Sequence, residues 1–250
     1  MISLGGIWLR GGLLLLSLLG LHEFYRALSD KIKPVHYIGF LTAFIYFIFF
    51  MYGIYPHFLI LVSALVLSVI AVTVIFYGKT DIKDSFVTVC GFFYIPFMFS
   101  FIYFVREANF YFVWLIFTSA SASDTFAYLV GKKWGRRRLV NTPSPNKSME
   151  GCIGGVAGAA LVGLIYGFAV AGFTELNYNV NFIVFGAAVI SALGAVFSQF
   201  GDFFASAVKR SAGIKDFGRL LPGHGGILDR FDGILAAAPI VYMVTILLWI

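Results

Sequence analysis

Eight stretches of this chain are apolar for long enough to cross a lipid bilayer, and nothing else in the sequence narrows the fold as much. They fall near 5–28, 35–52, 57–77, 84–105, 110–131, 152–173, 182–200 and 232–249. A spanning helix needs about 20 mostly apolar residues, and with no water in the hydrocarbon core its backbone N–H and C=O groups must pair inside the segment. The predicted fold is therefore all-α: a polytopic integral membrane protein of about eight transmembrane helices. With 60% apolar, 18% aromatic and 12% charged residues, the chain is too apolar for a soluble domain. No linker is long or polar enough to separate two domains, so 1–250 reads as a single membrane domain. Residues 1–110 supply mainly scaffold helices, and residues 110–250 the helices and loops that carry chemistry.

Charge distribution orients the spans. If the eight alternate, only Arg10 and Arg106 of the 18 Lys and Arg fall on one side. The rest cluster near 26–33, 79–83, 132–147 and 209–230, which the positive-inside rule makes cytosolic. The net charge of +6 thus reflects loops that face the cytosol. No soluble basic domain exists to carry nucleic acid, so that partner is excluded.

The richest polar stretch is 198–232, SQFGDFFASAVKRSAGIKDFGRLLPGHGGILDRFD. If Ser198–Arg210 is helical, Ser198, Asp202, Ser206 and Lys209 share one face. Pro222, Gly223, Gly225 and Gly226 then enforce a tight irregular loop before Asp229 and Asp232. Carboxylates brought beside a basic stripe provide oxygen ligands for a hard cation and positive charge for phosphate oxygens.

The run S-x-x-K-R-x-x-x-x-K-D-x-x-x-x-x-P-G-H-G-G-x-x-D-R-x-D, from Ser206 to Asp232, resembles the signature of the phosphatidate cytidylyltransferase (CDP-diacylglycerol synthase) family. The resemblance implies transfer of the CMP moiety of CTP to phosphatidate, releasing pyrophosphate, at the cytosolic face of a bacterial-type inner or plasma membrane. It further implies Asp202, Lys209, Arg210, Lys215, Asp216, His224 and Arg230 as catalytic positions. Asp202 and Asp229, then Asp232 and Asp124, are the implied ligands of Mg2+, with a second cation left open. Members of that family usually begin with one more span. Two readings of the start therefore stand: a chain without its first, ninth helix, or a member with eight.

Two further segments extend the resemblance. Asp124 lies inside the fifth span, where a carboxylate costs roughly 2.5–3.5 kcal/mol on insertion scales and is normally paired or functional. Tyr128 follows one turn on, and D-T-F-A-Y-x-x-G looks like a second motif of the family. The cluster Lys132, Lys133, Arg136, Arg137 and Arg138 reads as an electrostatic funnel for a triphosphate and an anionic headgroup, or as an ordinary basic cytosolic loop. It leads into S-P-N-K-S-M-E-G, similar to the family's S-P-x-K-[ST]-x-E-G. Lys147, Ser206, Asp124 and Tyr128 are the implied substrate contacts.

Elsewhere the readings are structural. Glu23 and Arg26, at i and i+3, suit a local ion pair. The loop 78–85 suits a solvated turn with a helix N-cap at Asp84 or Ser85. Glycines 151, 154, 155, 158, 163 and 167 allow close helix packing, within the chain or across a homodimer. Cys90 and Cys152 lack metal spacing and read as structural thiols. Two rival functions stay open: a CTP-dependent lipid kinase of the dolichol- or phytol-kinase sort, and an ion-coupled transporter using Asp124 and Asp202. Against the transporter, the charges crowd at one face, not at a midplane between repeat halves.

Overall fold

The computed structural model describes residues 6–29, 32–53, 58–139, 143–172, 179–218, 220 and 225–249. They form eight helices: α1 Gly6–Leu28, α2 His36–Met51, α3 Phe58–Ile75, α4 Ile82–Ala108, α5 Val113–Trp134, α6 Met149–Val170, α7 Val180–Ala212 and α8 Leu228–Trp249. Each predicted span coincides with one of them. All but α2 are long and apolar enough to cross a membrane, so the chain is an integral membrane protein. The described residues contain no sheet, only two isolated bridges.

The chain divides into two compact units, Met1–Ser100 with Lys209–Arg230 and Phe101–Val208 with Phe231–Ile250. The first is organised around Tyr25. Its hydroxyl donates to the Thr88 carbonyl at 2.9 Å, and its ring lies where side chains at Gly39 and Gly91 would otherwise stand. Arg10, inside an apolar run, is answered locally: its guanidinium donates to the Phe50 and Met51 carbonyls. Those carbonyls close α2, where the last turn has no helical partner for them.

The fourth helix starts on Asp81, one turn earlier than expected. Asp81 accepts from Ile82 N and Asp84 accepts from Asp81 N, a reciprocal capping box. Asp84 is therefore the third helical residue, not the cap, and it also accepts from Lys33 N at 2.8 Å. Within the helix, Pro96 lacks an N–H, and the ladder shifts to a π turn over Phe93–Phe97.

In the second unit the α6 glycines are spent inside the chain. A Cβ at Gly154 or Gly158 would strike Val130 or Phe126 of α5, and one at Gly163 or Gly167 would strike Ala187 of α7. Close approach of the three helices therefore depends on these positions. The seventh helix has 33 residues, well beyond the roughly 20 needed to cross the hydrocarbon core. It remains helical through Ser198–Arg210, beyond the apolar run that ends near residue 200.

Candidate active site

In the second unit the loop from α5 to α6 is folded back on itself. Glu150, in the first turn of α6, accepts from Arg136 N and Arg137 N. Leu139 N donates to the Lys147 carbonyl at 2.9 Å, and Met149 N to the Arg137 carbonyl at 3.0 Å. Ser148 caps α6 by accepting from Gly151 N. This short bridge fixes the backbone of Lys147, whose ammonium pairs with Asp202 of α7 and lies 4.9 Å from the Phe203 ring centroid. Asp124 of α5 is within electrostatic range of both Lys147 and Asp202.

Asp124 and Lys147 line a cleft of about 580 Å3 together with Tyr128, Lys132, Arg138 and Gln199, among others. The structure thus brings together three of the four expected substrate contacts. Ser206, the fourth, is half-buried on α7. Gln199 escaped the sequence reading. Its amide donates to Ser123 Oγ at 2.9 Å and to the Cys152 carbonyl at 3.0 Å, tying three helices together behind the cleft. A polar side chain at the end of an otherwise apolar run was the available signal.

In the first unit, Lys209 pairs with Asp229 at 2.8 Å, with side chains only 14% and 8% exposed. The other oxygen of Asp229 accepts from Phe217 N at 2.8 Å and from Gly226 N at 3.0 Å. Gly225 turns the chain here with φ +79°, a conformation that favours glycine. The Lys209 ammonium also lies 5.4 Å from the Phe217 ring centroid. Asp229 is therefore held at three points by residues of its own motif.

Glu23 is the largest departure from expectation. It forms no ion pair with Arg26. It is 6% exposed, and its two oxygens accept from Ile227 N at 3.0 Å and Leu228 N at 2.8 Å. Those amides open α8, where the helix dipole favours a carboxylate. Gly218 and Gly226 leave the space it fills, since a Cβ at either would fall on its carboxylate. Arg26, one turn on, is exposed beside Lys215 and Asp216 on a second cleft.

Of the remaining expected positions, Arg210 and Arg230 are exposed, and Asp232 is half-buried with one oxygen accepting from Gly233 N. His224 lies outside the described residues. Cys90 and Cys152 are free thiols. Among the described residues no three His, Cys, Asp or Glu side chains gather as a metal cluster. A hard cation such as Mg2+ needs fewer, because it binds through one or two carboxylates and takes its other ligands from water and phosphate. Asp202 fits that role: Lys147 occupies one oxygen, no described residue donates to the other, and Asp124 stands within range.

The fold and these two clusters define a polytopic membrane protein that sets lysines against carboxylates in the manner of a phosphate-handling site. Comparison with known proteins narrows this. The model of the cytidylyltransferase family matches residues 1–248, and the chain belongs to that family. Over 132 residues it is 44% identical to the phosphatidate cytidylyltransferase of Thermotoga maritima, covering 52% of this chain and 47% of that protein. Over 188 residues it is 37% identical to the phosphatidate cytidylyltransferase of Staphylococcus aureus strain COL, covering 75% and 68% respectively. The Staphylococcus haemolyticus enzyme of the same name is 32% identical over 174 residues, covering 70% and 64%. The matched segments thus span about half of the Thermotoga protein and about two thirds of the staphylococcal ones.

Proposed function

We propose that this chain is a phosphatidate cytidylyltransferase, converting CTP and phosphatidate to CDP-diacylglycerol and pyrophosphate. The observation that carries the reading is the pairing of motif residues. Lys209 pairs with Asp229 within the Ser206–Asp232 run, and Lys147 of the S-P-N-K-S-M-E-G segment pairs with Asp202, just ahead of that run.

In the reaction a phosphate oxygen of phosphatidate attacks the α-phosphorus of CTP in line. The bond to the bridging oxygen breaks, and pyrophosphate leaves with that electron pair. Both reactants are anions, so positioning and charge neutralisation dominate. Lys147 and Lys209 neutralise phosphate oxygens, and Lys132 and Arg138 draw anions toward the cleft. Arg210, exposed near the end of α7, contacts the lipid phosphate. Asp202, with Asp124 in support, would hold Mg2+, while Asp229, bound at both oxygens, would fix Lys209. When bound, that cation neutralises the triphosphate and polarises its oxygens. No side chain forms a covalent intermediate.

The purified chain, incubated with labelled CTP, phosphatidate and Mg2+, is expected to yield a CDP-lipid and pyrophosphate in equal amounts. Release of CDP with a phosphorylated lipid would instead identify a kinase. The charge pattern supports a cytosolic site. In sealed cells, a cysteine at Glu107 should then react with an impermeant reagent, and one at Arg137 should not; labelling of Arg137→Cys from outside would overturn the orientation.

A further inference from the structure

The second cleft, of about 680 Å3, lies within the first unit. Arg26 enters it from the end of α1, and Lys215, Asp216 and Phe217 from the segment after α7. Among the described residues neither Arg26 nor Lys215 forms an ion pair with Asp216. Two cations and a carboxylate therefore face one space without neutralising one another through direct contact. Phe217 connects this space to the Lys209–Asp229 pair, because its N–H is bound by Asp229 and its ring lies beneath the Lys209 ammonium.

Without a bridging metal ion a carboxylate in a phosphate pocket repels the anion and weakens the field of both cations. Among the described lining residues Asp216 has no second carboxylate beside it to help hold such an ion. Asp216 is exposed and has no ion-pair partner among the described residues, so it is open to a ligand that donates hydrogen bonds. Cytosine has such an edge: an amine at position 4 that donates, with N3 and O2 beside it as acceptors. Asp and Glu accepting from that amine is a recurrent pairing where proteins read cytosine in DNA. Uracil carries a carbonyl at position 4 and an N–H at position 3, so its oxygen would face the carboxylate and its N–H the cation. Ala27 and Ile214, on the same walls, supply apolar surface for the faces of the ring. The volume lies within the usual range for small-molecule sites, roughly 300–1,000 Å3.

We infer that this cleft is the nucleobase site, with Asp216 accepting from the cytosine amine and Arg26 donating to N3 and O2. The inference rests on the reaction proposed above and adds the group that separates CTP from UTP. Asp216 and Arg26 read the base, while Lys209, beyond Phe217, is left for the phosphates. Arg suits the task because its planar donors can meet two adjacent acceptors at once.

The test compares kcat/KM for CTP and UTP in the full chain with phosphatidate as acceptor. Asp216→Asn presents either a carbonyl or an amine to position 4, so the preference for CTP should fall about tenfold. The change should sit mainly in KM, because the base is held alike in the ground and transition states. An unaltered CTP:UTP ratio would overturn the assignment. A binding measurement keeps the idea testable if that variant folds poorly. Alkylation of Ile214→Cys, read by peptide mass, should be slowed by CTP, less by UTP and not by tripolyphosphate. Equal protection by tripolyphosphate would show that phosphates fill the cleft, and the nucleobase assignment would fail. Because protection needs no turnover, a wild-type chain that binds CTP this way yet makes no CDP-lipid would count against the reaction and not against the base site.

Discussion

The Lys209–Asp229 pair of the first unit and the Lys147–Asp202 pair of the second use the same two residue types and hold them by different means. Asp229 is gripped by two backbone amides besides its lysine, and the helix it begins is anchored by Glu23. Asp202 has Lys147 as its only hydrogen-bond partner among the described residues, and that pair is more open, 27% and 29% exposed. Folding determines the first carboxylate. The second is determined by one side chain on a loop and can exchange that partner for another cation.

The sharpest way to break this contrast is Asp229→Asn. It should lower turnover by about 10²–10³-fold, the scale on which one preorganised charge contact is felt. It should also cost about 3 kcal/mol of stability, because Lys209 is left buried without its counter-ion. Thermal unfolding in detergent measures the second effect, and an unchanged midpoint would mean that the pair is not structural.

Glu23→Ala should come next, destabilising by about 2 kcal/mol, since it leaves two buried amides at a helix start without acceptors. Gly226→Ala should act in the same direction by displacing the same carboxylate. If Glu23→Gln behaved like wild type in both stability and kcat, the negative charge at the α8 start would be unnecessary and acceptor geometry alone sufficient.

Asp202→Asn is predicted to divide the two properties. Turnover should fall as far as in Asp229→Asn, while stability changes by less than about 1 kcal/mol, as for other partly exposed pairs. Matching losses of stability in the two variants would erase the distinction between a fixed and an adjustable carboxylate. The smallest effect is expected for Lys147→Arg, which keeps the charge. A modest rise in the KM for CTP with the unfolding midpoint unchanged would place Lys147 in binding; a shifted midpoint with unchanged KM would reassign it to structure.

The membrane class, the eight helices and the carboxylate–lysine character of the site were legible because each is a local pattern: an apolar run, a repeat along one helix face, or a dense motif. Lys209 and Asp229 sit in one such motif, and their pairing required only the loop between them to close. Glu23 could not be read this way. At i and i+3 from Arg26 it suggests a surface ion pair, and nothing nearby announces that its partners are the amides of Ile227 and Leu228. Backbone N–H groups have no residue type, so a sequence cannot show which are left unsatisfied. Asp81 shows the same limit in miniature. The sequence points to Asp84 or Ser85 as the cap, and only the reciprocal hydrogen bonds establish that Asp81 starts the helix.

The bond from Ile227 to Glu23 spans 204 positions, which gives it a place in the order of synthesis. At about 5–20 residues per second, roughly 10–40 s separate the emergence of Glu23 from that of its acceptor-seeking amides. Through that interval α1 carries a carboxylate at one end of an apolar helix without the partners it has in the finished protein. A chain stopped before residue 227 retains that carboxylate and never completes its pairing. Helix α1 is thus settled by the start of α8, and a polypeptide stopped before residue 227 differs from one that has passed it in a carboxylate left without these amides.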